Sequence, residues 1–117
     1  MRVSPTKTRE ASVVDVTPTE AWDLANEVQI VDVREPDEWC GELGHIPGAA
    51  LVPLSTLEAA AAGWNRHEPV VLVCRSGGRS ARAAATLARL GFRDVRNLAG
   101  GMSAYNAAGL PVVRSAT

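Results

Sequence analysis

The residues best equipped for chemistry lie in one stretch, PVVLVCRSGGRS, from Pro69 to Ser80. Four apolar residues, Val70 to Val73, are β-branched at three positions, the pattern of a strand buried on both faces of a parallel sheet. Cys74 follows at the carboxyl end of that strand, where open α/β sheets place their ligand sites. Arg75, Ser76, Gly77, Gly78 and Arg79 come next, and Ser80 opens an Ala-rich helix. The two glycines accept φ > 0 without a Cβ clash, so the chain can turn tightly between strand and helix. Such a turn points several backbone N–H groups inward as an anion-binding nest, reinforced by the helix dipole. A thiol over that nest, flanked by two arginines, is expected to ionise, and the thiolate is a nucleophile. Cys74 is therefore the candidate catalytic residue, with Arg75, Ser76, Gly77, Gly78 and Arg79 as candidate substrate-binding residues. A cysteine that only capped a core strand as a small hydrophobe would need neither the Gly-Gly turn nor the two charges.

The chain around this loop has 117 residues, enough for one domain with a real core and no disulfide or metal support. Its composition, 46% hydrophobic and 21% charged, is that of a soluble globular protein. A net charge of −1 gives no global attraction to nucleic acid or membrane, and no partner of either kind is expected. Local charge is another matter. Of eleven arginines, six (Arg75, Arg79, Arg82, Arg89, Arg93 and Arg96) fall within 22 residues beginning at the loop, which points to an anionic substrate or partner. The two cysteines, Cys40 and Cys74, and two histidines have no metal-ligand spacing, so no metal and no cofactor are expected. The start, MRVSPTKTRE, lacks an apolar signal segment, which makes a reducing cytoplasm the expected setting.

The elements that must hold the loop alternate in type. Residues 1–11 read as a flexible arm, 12–113 as the domain and 114–117 as a tail. Val13, Val14 and Val16 suggest a short strand. Thr17-Pro18-Thr19-Glu20 then starts a helix, with Thr17 as N-cap. Val28 to Val33 is a second buried strand, broken at Arg34-Glu35-Pro36-Asp37, with one helical turn expected within Glu38 to Leu43. Ala49 to Leu54 is a third strand, placed at a sheet edge by Pro53, and Ser55 is expected to cap the helix that runs to Gly63. After the Pro69 strand, a helix over Ser80 to Leu90 puts Arg82, Thr86 and Arg89 on one stripe and ends at Gly91. Ala81, Ala84, Ala85, Leu87 and Ala88 share its remaining arc, towards the sheet. Val95 to Leu98 is the fifth strand, and Gly100-Gly101 leads into a last helix over Met102 to Ala108. This order predicts an α/β fold with a mainly parallel five-stranded sheet joined by right-handed crossovers.

With these pieces placed, the segments VDVREPDEW, GHIPGA, VLVCRSGGRS and NLAGGMSAY, in this order, make the chain resemble the single-domain rhodaneses, the rhodanese-like sulfurtransferases. The resemblance covers about Val13 to Val112. It implies a three-layer α/β/α fold and a Cys74 that carries a sulfane sulfur as a persulfide, with Arg75 to Arg79 completing the active loop. Asp32 then matches an acid with a mainly structural role. Arg34 matches an arginine that faces the active-site region and stands with the substrate-binding residues, a structural ion pair being its alternative role. His45 to Gly48 match a loop that shapes the fold. The implied partners are a small anionic sulfur donor of the thiosulfate type and a cyanide or thiol acceptor, a sulfur-relay protein among them. Two alternatives share the architecture: a phosphatase or arsenate reductase, and a non-catalytic rhodanese-like interaction module. Phosphatase relatives place five residues between cysteine and arginine, whereas Cys74 and Arg79 have four between them. Trp22, Trp39 and Trp64 read as packing residues, His45 as a loop-anchoring hydrogen bonder, and Cys40 as incidental.

Overall fold

The structure is a computed structural model that describes residues 13–115. The expected arm at 1–11 and the last two tail residues lie outside the described residues. Five strands form one parallel sheet in the order β1-β5-β4-β2-β3. They are β1 Val14–Val16, β2 Gln29–Asp32, β3 Ala50–Leu51, β4 Val70–Val73 and β5 Val95–Leu98. The helices are α1 Pro18–Asp23, α2 Pro36–Trp39, α3 Leu57–Ala61, α4 Gly78–Arg89 and α5 Gly101–Ala107. No helix among the described residues is long and apolar enough to cross a membrane.

β4 is the middle strand, and all four of its residues are buried. Alternation along the strand sends Val70, Leu72 and Cys74 into one core and Val71 and Val73 into the other. The first core takes Leu57 and Ala61 of α3 with Ala83, Ala84 and Leu87 of α4. The second takes Ala21 of α1 with Met102 and Tyr105 of α5. Two helical layers thus cover the two faces of the sheet, as a continuous apolar strand requires. α4 turns Ala83, Ala84, Leu87 and Ala88 inward, while Ala81 and Ala85, expected on that arc, are exposed.

Several local expectations hold in the structure. Thr17 caps α1, its Oγ1 accepting the Glu20 N–H at 3.1 Å while Glu20 Oε1 accepts the Thr17 N–H at 2.8 Å. β3 is an edge strand, though shorter than expected. Val52 and Leu54 still donate to the carbonyls of Asp32 and Val33, and Pro53 falls between those two donors where no N–H is called for.

Others are corrected. Ser55 does not cap α3; it sits inside a 3-10 turn, Leu54–Thr56, and the helix begins after it. β2 ends before Arg34-Glu35-Pro36-Asp37 as expected, but the helical turn expected within Glu38 to Leu43 begins two residues earlier, at Pro36. The fixed φ of Pro36 suits the first helical position, and the Glu35 N–H is met by Glu38 Oε1 at 3.0 Å. The helix after the loop begins at Gly78, two residues before the expected Ser80, because Gly77 turns the chain at φ 110°. Gly78 and Arg79 are consequently helical.

Candidate active site

The early start of α4 decides what surrounds Cys74. Its first turn brings Ser80, which is fully buried, back over the end of β4. Cys74 Sγ accepts the Gly77 N–H at 3.0 Å and lies 3.3 Å from Ser80 Oγ. Burial pushes the Cys74 thiol up, but the Ser80 hydroxyl and the backbone N–H groups of Ser80, Gly77 and Ser76 outweigh it, leaving the thiol below its ordinary value. A bowl of oriented donors at the positive end of a helix favours a thiolate and any negative charge it passes outward.

The arginines act differently from one another. Arg79 is turned to Glu38 of α2, with two parallel N–H···O bonds of 2.8 and 2.9 Å. The Arg79 hydrogen bond, against opposition from burial, and with help from the Glu35 N–H and the Arg79 and Arg34 charges, holds the Glu38 carboxyl down at about 2. Arg79 thus clamps the loop to α2 while adding positive charge near Cys74. Arg75 and Ser76 are exposed, and the Arg75 side chain makes no hydrogen bond or ion pair among the described residues. Arg75 is free to meet an anion.

Arg34 is not in that position. It is 1% exposed, and its guanidinium grips Asp32 with bonds of 2.9 and 2.7 Å. It also donates to the carbonyls of Gly44 at 2.7 Å and Glu38 at 3.3 Å. With four contacts made inside the protein, Arg34 ties β2 to the following turns and has no face left for a substrate, which corrects its placement among the substrate-binding residues. Asp32 is its structural partner, as expected. His45 anchors its loop too, through Nδ1 at 2.9 Å from the Trp39 carbonyl and a ring stack on Trp39 at 3.5 Å. Cys40 is exposed, at the end of α2.

The sequence reading missed four residues that support the site. Ser80 was read only as a helix opener, and Glu38, 41 residues before Arg79, carries no local sign of its partner. Asn97 of β5 lies with its Oδ1 2.6 Å from Ser80 Oγ. Gly101 lies directly under the loop: the N–H groups of Met102 and Ser103 donate to the Cys74 and Arg75 carbonyls at 2.8 and 3.0 Å. A Cβ on Gly101 would sit 2.5 Å from the Cys74 oxygen. A separate apolar pocket of about 400 Å³, lined by Gln29, Val52, Trp64, Val70 and Phe92, opens where β2 and β4 begin, away from the thiol.

The rhodanese-like domain family model matches residues 17–108. The chain belongs to the rhodanese-like family, and its five-stranded parallel sheet with helices on both faces is the fold of that family's solved structures. A rhodanese-like domain protein of Staphylococcus aureus is 35% identical with a TM-score of 0.73, over 86% of this chain and 99% of that one. A Rhodopseudomonas palustris protein of unknown function, described as a possible tyrosine phosphatase, is 26% identical with a TM-score of 0.77, over 97% and 98%. An uncharacterised Bacillus subtilis protein is 43% identical over 77 residues, 66% of this chain and 60% of its own length. A sulfurtransferase of Allochromatium vinosum is 38% identical over 87 residues, 74% and 79% of the two chains. A chloroplastic thiosulfate sulfurtransferase of Arabidopsis thaliana is 32% identical over 117 residues, 90% and 95%. The chain spans less than two thirds of the first of these relatives and less than half of longer ones, among them a putative sulfur carrier protein of Bacillus subtilis. Relatives of this chain are thus named as sulfurtransferases and sulfur carriers.

Proposed function

We propose that this protein is a sulfurtransferase that carries sulfane sulfur as a Cys74 persulfide, with thiosulfate or a persulfide as donor and cyanide or a thiol as acceptor. The observation that carries the reading is the thiol of Cys74, set in a bowl of N–H groups from Ser76, Gly77 and Ser80 and held below its ordinary value. With thiosulfate, the Cys74 thiolate attacks the sulfane sulfur, an Sγ–S bond forms, and the S–S bond of the donor breaks with its electron pair leaving on sulfite. The charge now resides on the outer sulfur, where inward N–H groups stabilise it as an oxyanion hole stabilises oxygen. An acceptor nucleophile then attacks that sulfur and the thiolate of Cys74 returns. No general base is required. Arg75 draws in the anionic donor, and Arg79 fixes the loop through Glu38. A sulfur-relay protein is a natural thiol acceptor for a chain with a putative sulfur carrier among its relatives.

A phosphatase reading has one relative in its favour. Two features of the loop speak against it. Four residues, not five, separate Cys74 from Arg79, and Arg79 is turned to Glu38 instead of standing over the thiol. Three equatorial phosphoryl oxygens need more donors than this turn offers. The test is thiocyanate formation from thiosulfate and cyanide, run beside hydrolysis of an aryl phosphate. Thiocyanate formation that a folded Cys74→Ser protein lacks is expected, with negligible phosphatase turnover. Cys74-dependent phosphate release without thiocyanate would overturn the assignment.

A further inference from the structure

Ser80 Oγ is fully buried and has more acceptors than protons. It lies 2.6 Å from Asn97 Oδ1, 3.3 Å from Cys74 Sγ and 3.3 Å from the Gly77 carbonyl. The Gly77 carbonyl already accepts the Ala81 N–H at 3.0 Å. One hydroxyl proton serves one acceptor at full strength, and the Gly77 oxygen, at 3.3 Å, lies beyond the usual O–H···O range, so the choice lies between the sulfur and the amide. Asn97 is itself fixed: it is nearly buried on β5, and its Nδ2 is 3.3 Å from Asp15 Oδ1 on β1, which aims Oδ1 at Ser80.

We propose that Asn97 is a positioning residue that competes with Cys74 for the Ser80 hydroxyl proton, taking it when Sγ is bonded to a transferred sulfur and releasing it when Sγ is a thiolate. The part that concerns the loaded enzyme rests on the sulfurtransferase reading above; the part that concerns the resting thiol does not. A thiolate is a charged acceptor and can draw the proton from the amide. Once Sγ is bonded to a second sulfur, the charge moves to the outer atom and Sγ becomes a weak acceptor. A buried hydroxyl with nowhere to donate is costly, and Asn97 supplies the place. On discharge, the acceptor attacks the outer sulfur and the bonding pair returns to Sγ. The Ser80 proton then swings back to stabilise the leaving thiolate. The charged groups around this exchange are Arg79 on α4, clamped by Glu38 of α2, the buried Asp32–Arg34 pair at the end of β2, and Asp15 on β1 beyond Asn97.

The geometry assigns opposite signs to two substitutions, which a merely structural role for Asn97 would not do. In a Cys40→Ser background, the rate of Cys74 alkylation by iodoacetamide is followed against pH. Ser80→Ala should move the midpoint up, because a donor to the thiolate is lost. Asn97→Leu, or Asn97→Ala if the leucine does not fold, should move it down, because a competitor is lost. In the Ser80→Ala protein the Asn97 substitution should have almost no effect, a non-additivity that marks action through the hydroxyl. A midpoint that rises or stays fixed in the Asn97 variants, or an Asn97 effect that persists without the hydroxyl, would overturn the proposal. The second arm loads each protein from thiosulfate and discharges it with cyanide. Discharge should slow severalfold in Ser80→Ala, recover in Ser80→Thr, and not slow in Asn97→Leu. If no protein, wild type included, takes up sulfur, the loaded-state half falls together with the sulfurtransferase reading, and the alkylation profiles still decide whether Asn97 acts through Ser80.

Discussion

Gly101→Ala should damage the site more than any other change that adds a single methyl group, and the effect can be worked from distances. Gly101 has φ 58°, and a Cβ built on it comes within 2.5 Å of the Cys74 oxygen and 2.6 Å of the Arg75 carbonyl carbon and oxygen. Ordinary contact begins at 3.4 Å, so the loop backbone must retreat by about 0.9 Å, the difference between 3.4 and 2.5. These are backbone atoms at the root of the nest, with no flexible side chain to absorb the shift. Left-handed backbone with a Cβ costs about 1–2 kcal/mol, and overpacking adds about 1–3 kcal/mol. A displacement approaching 1 Å at a reacting group costs about 100-fold in rate. Gly109→Ala is the matched control: its φ is 74°, but its Cβ would meet nothing within 4 Å. Urea unfolding and thiocyanate formation are measured for both. Gly109→Ala should lose about 1 kcal/mol after the smaller entropy of the unfolded alanine chain is counted, and keep its activity. Gly101→Ala should lose about 1–4 kcal/mol after the same entropy offset, and most of its activity. Equal behaviour of the two variants would refute the view that Gly101 is required because the loop rests on it.

Three further outcomes are expected. Arg34→Ala should unfold more readily by about 3–5 kcal/mol, since it strands the buried Asp32 carboxylate, whereas Arg75→Ala should keep its stability and raise the KM for thiosulfate; the reverse pattern would exchange their roles. Glu38→Gln should cost about 1 kcal/mol at neutral pH, as partly exposed pairs do, measured as a shift in thermal midpoint. The Glu38 carboxyl lies at about 2 in the folded protein against an ordinary 4.5, so its contribution is whole above pH 4.5 and is lost as pH falls towards 2. The difference between wild type and Glu38→Gln should shrink over that window, and a difference that grew there would contradict the clamp. Cys40→Ser should retain near-normal turnover, because one thiol suffices for the proposed cycle; a tenfold loss, about 1.4 kcal/mol of barrier, would mean that Cys40 takes part.

The sheet was legible in the sequence because its strands are short β-branched runs separated by helix-length segments, and a middle strand buried on both faces leaves a continuous apolar signature. Cys74 was legible for the same reason: its position at a strand end before two glycines is a local pattern. The rest of the site depends on pairings that no local pattern carries. The Arg79–Glu38 clamp joins residues 41 apart, and the Ser80–Asn97 contact joins residues 17 apart on different elements. Arg34 was ambiguous because the same residue type serves an anion or a buried carboxylate, and only burial separates the two. Ser80 could have been found by starting α4 at Gly78, since one left-handed glycine suffices to turn the chain into the helix. Pro36 had the signature already recognised at Pro18, an acid three residues after the N-cap, but with glutamate in the cap position.

The central claim is that Cys74 holds the sulfur in transit. Intact mass spectrometry after brief treatment with thiosulfate tests it most directly, with Cys40→Ser and Cys74→Ser proteins run alongside the wild type. The wild type and Cys40→Ser proteins should each gain the mass of one sulfur atom, cyanide should remove it, and Cys74→Ser should gain nothing while staying folded. A wild-type protein that gains no sulfur, or a Cys74→Ser protein that still does, would contradict the account.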